Sequence, residues 1–71
     1  MILKSQHYQP YYGLISEIRK QGLSHKEVAK MLGITSQSFS QKINRKGGKD
    51  FWFEEAIFLS KKLKIDFKQF F

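Results

Sequence analysis

The residues best suited to chemistry in this chain lie between Gly33 and Lys49, in the run GITSQSFSQKINRKGGK. Ser36, Gln37, Ser40 and Gln41 carry hydroxyl and amide groups that can hydrogen-bond base edges in the major groove of a duplex, where Gln suits adenine and Ser is tolerant. Lys42, Arg45, Lys46 and Lys49 follow at once, and a cluster of cations of this kind suits phosphates. Such side chains work together only if a helix presents them on one face. Phe39 and Ile43, at i and i+4, are the only large apolar residues of that helix and turn its other face outward. A polar helix face is by itself ordinary solvated surface, so the elements around it have to decide its use.

Other chemistries are poorly served. There is no G-x-S-x-G, no Walker motif, no paired His-Glu-His helix and no Cys nucleophile, so enzymatic activity is not expected. With zero cysteines, and with His7 and His25 far apart in sequence, no disulfide framework, metal site or cofactor is expected. No apolar run approaches the about 18 residues of a membrane span, and MILKSQHYQ lacks the apolar stretch of a signal peptide, so the reading is cytoplasmic, with no membrane partner. Seventy-one residues support a single small core, and 41% apolar with 15% aromatic residues is a folding composition. Thirteen Lys and Arg against six Asp and Glu leave a net charge of +7. A charge excess can serve solubility alone, but here it gathers in two patches, 42–49 and Lys61, Lys62, Lys64 and Lys68, which points to an anionic partner.

The periodicity predicts an all-α domain of four or five helices over residues 10–71, preceded by an arm over residues 1–9. Pro10 suits a first helical turn, and Tyr11, Leu14, Ile15 and Ile18 follow as one stripe that Gly22 closes. Ser24 and Glu27 have the spacing of a capping box and start a second, short helix with Val28, Ala29 and Leu32 on its inner face. Gly33 ends that helix, Ile34 anchors the turn, and Thr35 caps a third helix over about 36–43. Residues 44–50 read as an exposed loop. A fourth helix carries Phe53, Ala56, Ile57, Ser60 and Leu63 at helical spacing, with the Phe51-Trp52-Phe53 run supplying core bulk, and Asp66 and Gln69 open a last turn. Two short helices joined by G-I-T, with small Ala29 allowing close crossing, meet the requirements of a helix-turn-helix over about 24–44.

The segment LSHKEVAKMLGITSQSFSQKIN, residues 23–44, resembles the helix-turn-helix of the phage repressor and Cro family of transcriptional regulators. The likeness extends to a late Arg in the first helix and to E-A-I-x-L-S-x-x-L-x-I near the C-terminus, and so covers about residues 11–71. It implies a compact, lambda-repressor-like five-helix domain that binds a double-stranded DNA operator as a homodimer, with the second helix of the motif in the major groove. Under it, Ser36, Gln37, Ser40 and Gln41 read bases, and His25, Lys42, Asn44, Arg45, Lys46 and Lys49 contact phosphates. The chain departs from the family pattern at Ile43-Asn44-Arg45, where a Glu that pairs the first-helix Arg and then Asn-Gly are common. Arg19 then pairs with Glu54 or Glu55 or is available to phosphate, and Arg45 in the Gly position calls for a different loop geometry.

Phe67, Phe70 and Phe71 crowd one turn, and three aromatics there exceed what one small core takes, so one or more is expected at a dimer interface. Small proteins of this class also act as antirepressors or antitoxins on another regulator protein, and a Ser/Gln face serves that use too. RNA binding is less well served, for want of sheet-borne aromatics.

Overall fold

Local capping chemistry sets the limits of several of the helices. In the computed structural model, which describes residues 9–71, the order is α1 (Tyr12–Lys20), α2 (His25–Leu32), α3 (Ser36–Ile43), a 3-10 turn (Lys46–Gly48), α4 (Phe53–Leu63) and α5 (Phe67–Phe70). The domain is all-α, with five helices and no strand among the described residues. The arm expected over residues 1–9 lies outside the described residues as far as residue 8, as does His7.

The capping box at α2 is complete: Glu27 N–H donates to Ser24 Oγ at 3.1 Å, and Ser24 N–H donates to Glu27 Oε1 at 2.8 Å. Gly33 then takes φ 75°, ψ 27°, and its left-handed turn lets Ile34 N–H donate to Ala29 C=O at 3.0 Å. Thr35 Oγ1 accepts from Ser38 N–H at 3.0 Å and starts α3 only three residues after α2 ends. Pro10 lies two positions before the first helical residue instead of in the first turn, because α1 begins at Tyr12 with Tyr11 as its N-cap.

Leu14 and Ile18 of α1, Val28 and Ala29 of α2, Phe39 and Ile43 of α3, and Leu59 and Leu63 of α4 form one buried cluster. Each pair has the i, i+4 or adjacent-row spacing of an amphipathic helix. Ala29 is 1% exposed beside Val28, where its methyl leaves room for α3 to pack close. Leu32, Ile34 and Ile57, expected inside, are only partly buried. The larger correction is the phase of α4. Its inner stripe is Ala56, Leu59, Ser60 and Leu63, so Leu59 is fully buried while Phe53 is 70% exposed. Of the Phe51-Trp52-Phe53 run only Phe51 packs against the core.

Phe67, Phe70 and Phe71, expected at a dimer interface, are half-buried, and each also has partners in its own chain. Phe71 stands 5.5 Å from Tyr11 and 5.8 Å from Phe51 between ring centres, and Phe67 meets Phe53 edge-on at 5.5 Å. Phe70 packs against the core cluster. The short α5 folds back over the start of α1 instead of pointing away.

Candidate nucleic-acid interface

Because Phe39 and Ile43 are buried, α3 must show solvent its other side, on which Gln37, Gln41 and Asn44 fall at i, i+4 and i+7. Ser36 and Gln37 are exposed in the first turn, and Ser40 and Gln41 are half-buried one turn later. Gln37, Ser40, Gln41, Asn44, Arg45 and Lys46 together line one open depression. Four of these side chains are neutral hydrogen-bonding groups and two are cations, and the cations come at the C-terminal end. Asn44 is held in place by its amide donating to Ser40 C=O at 2.9 Å.

The expected phosphate ligands separate into two groups. Lys42 lies three positions after Phe39, on the flank of α3 that meets α4, and its Nζ donates to both Glu55 oxygens at 2.8 Å while sitting 4.9 Å above the Trp52 ring. Both side chains of that ion pair are 13% exposed. Glu55 also accepts from Trp52 N–H at 2.8 Å and so caps α4. Lys42 therefore joins α3 to α4, and Glu55 is not the partner of Arg19, which is exposed and forms no ion pair with a described residue. His25 stands at the start of α2 with its ring edge-on to Phe39 at 5.3 Å.

Arg45 is also held by its own chain. It adopts φ 55°, ψ 37°, a left-handed conformation that costs a residue with a Cβ about 1–2 kcal/mol. Its guanidinium donates to Asp50 Oδ2 at 3.1 Å and lies 4.8 Å from the Tyr11 ring centre. The Tyr11 hydroxyl in turn donates to Asp50 Oδ1, and Tyr11 N–H donates to Ile43 C=O at 2.9 Å, at the last turn of α3. The loop keeps the backbone shape a glycine would give, held there by Asp50 and Tyr11. Lys46 and Lys49, in contrast, are exposed, and no carboxylate of a described residue lies within ion-pair distance of either.

The sequence reading does not single out Asp50, and it does not foresee the hydrogen bond of Tyr11 to Asp50 or the pairing of Glu55 with Lys42. Asp50, the acid that closes the basic run, was the available signal, but its partner Tyr11 lies 39 positions away. Burial, and then the hydrogen bond and charge of Asp50, push the Tyr11 phenol from 10.0 up to about 12, with Arg45 pulling weakly the other way. The folded pKa lies above the unfolded one, so the neutral phenol's contribution to stability is complete below pH 10 and is lost as pH rises through about 12. The stability difference between the native chain and Tyr11→Phe is therefore expected to be constant up to pH 10 and to shrink above it in denaturant titrations. A difference that does not change across this range would contradict the placement of the phenol.

Together these features define an all-α five-helix domain with one polar helix face rimmed by basic side chains. Comparisons with protein-family models, curated proteins and solved structures give no match. Among the described residues no cluster of His, Asp or Glu could hold a metal ion, and no helix is long and apolar enough to cross a membrane.

Proposed function

We propose that this protein is a sequence-specific double-stranded DNA-binding regulator of transcription, of the phage or prophage repressor and Cro type, with α3 as its recognition helix. The observation that carries the reading is the open depression in which Gln37, Ser40 and Gln41 adjoin Arg45 and Lys46 at the exposed face of α3. A helix fits the major groove, where such amides and hydroxyls discriminate bases, while cations at one end fix its position on phosphates. The short connection between α2 and α3, built by Gly33 and Thr35, lets α2 brace the recognition helix from behind. One domain reads only a few base pairs, so selectivity calls for two copies on a two-fold symmetric operator.

In this reading Lys46 and Lys49 act on phosphates, and Lys42 acts indirectly by fixing α3 against α4. Lys46→Ala is expected to weaken binding to all duplex sequences alike and to lower the slope of log affinity against log salt by about 0.9, since one fewer counterion is released. Fluorescence anisotropy with labelled duplexes over a salt series measures both quantities. A change in sequence preference with an intact salt slope would contradict the assignment. Absence of duplex binding together with a stable complex with another regulator would instead favour an antirepressor or antitoxin role.

A further inference from the structure

The three C-terminal phenylalanines are half-buried against their own chain, which makes them a poorer centre for a two-copy contact than a more exposed face carrying both charge signs. The outer side of α4 offers a self-complementary surface. Opposite the buried Ala56, Leu59, Ser60 and Leu63, the helix presents Glu54, Phe58, Lys61 and Lys62. Glu54, Phe58 and Lys61 recur at i, i+4 and i+7 and form one line along the helix. Phe58 is 39% exposed at the middle of that line, and Met31 of α2, 37% exposed, adjoins it in a shallow depression that Leu32, Glu54 and Glu55 complete. The centre of the surface is apolar, its N-terminal end is acidic and its C-terminal end is basic.

We propose that this face binds a second copy of the chain, with the two α4 helices antiparallel about a two-fold axis at Phe58. Glu54 lies four positions before Phe58 and Lys62 four positions after it. A two-fold axis there sets Glu54 of each copy level with Lys62 of the other, with Lys61 beside it, and stacks Phe58 on Phe58. Parallel pairing would set like charges opposite each other and align the helix dipoles unfavourably; antiparallel pairing avoids both. Two chains that each carry +7 repel in general, so a local match of opposite charges is what association requires. A self-complementary patch is the defining feature of a two-fold interface. An 11-residue helix makes a small contact, at the transient end of interface sizes. This inference rests on the two-copy part of the function proposed above, and its test uses no DNA, so the two can fail separately.

The test is a charge exchange read by sedimentation equilibrium at low salt. The native chain is expected to shift from monomer towards dimer as concentration rises. Glu54→Lys alone and Lys62→Glu alone are each expected to lose that shift, because every cross-axis pair becomes like-charged. An equimolar mixture of the two variants is expected to regain it, since both cross-axis contacts of the mixed pair again join opposite charges. Both positions are exposed, and circular dichroism checks that each variant keeps its helices. Phe58→Asp is expected to abolish association in every combination. A native chain that stays monomeric at all concentrations would overturn the proposal. So would a dimer indifferent to either charge reversal, or one that the mixture fails to restore. A restored dimer in a protein that binds no duplex would leave this proposal standing and remove the DNA reading.

Discussion

Truncating Phe39 to alanine is expected to destabilise the domain by about 3–5 kcal/mol, the range for emptying a fully buried aromatic site. A chain of this size has a total stability of about 4–10 kcal/mol, so the change removes a large share of it. Phe39 is 0% exposed on the inner side of α3 and touches the ring of His25 at 5.3 Å and of Phe51 at 5.6 Å. Phe51 passes the packing on to Tyr11 and Phe71, so one side chain ties α3 to both ends of the domain. Denaturant unfolding followed by circular dichroism measures the loss. Duplex binding should fall only as far as the folded fraction does, because Phe39 faces away from the proposed groove. A loss under about 1 kcal/mol would contradict the central place given to this ring.

Gln37→Ala is expected to leave stability and non-specific affinity nearly unchanged while relaxing base preference at one position of each half-site. Gln37 is exposed in the first turn of α3, which Thr35 caps, and the N-terminal residues of a recognition helix contact base edges. A bidentate amide contact to adenine discriminates by about 1–3 kcal/mol, roughly 5- to 150-fold in relative affinity. Competition between a preferred duplex and single-base variants measures that ratio for the native chain and for Gln37→Ala. An unchanged ratio at every position would remove Gln37 from base reading.

What the sequence makes legible here is what short-range chemistry decides. Ser24 with Glu27, Gly33 and Thr35 set the limits of α2 and α3 through contacts within a few residues, and these could be read without knowing the fold. The phase of α4 could not. Phe53 and Leu59 both fit a helical stripe, and only the position of α4 against α2 and α3 decides that Leu59 goes inside and Phe53 stays out. The same holds for the basic run. Lys42 and Lys46 are alike in type, yet the turn of α3 carries one to Glu55 of α4 and leaves the other in solvent. Arg45 in a left-handed conformation depends on Tyr11, which composition and periodicity place in the first helix with no sign that it reaches Asp50. The aromatic crowding at the C-terminus was visible, but its use within the protomer follows from how α5 folds back onto Tyr11 and Phe51.

Selection of bound sequences from random duplex DNA tests the central claim most directly, because it reads binding, base preference and symmetry together. The native chain is expected to enrich inverted half-sites about one turn of DNA, roughly 10 base pairs, apart. Gln37→Ala should enrich the same arrangement with one position per half-site degenerate. Recovery of unenriched sequence, with duplex affinity that does not fall as salt rises, would contradict the assignment of α3 as a DNA-reading helix.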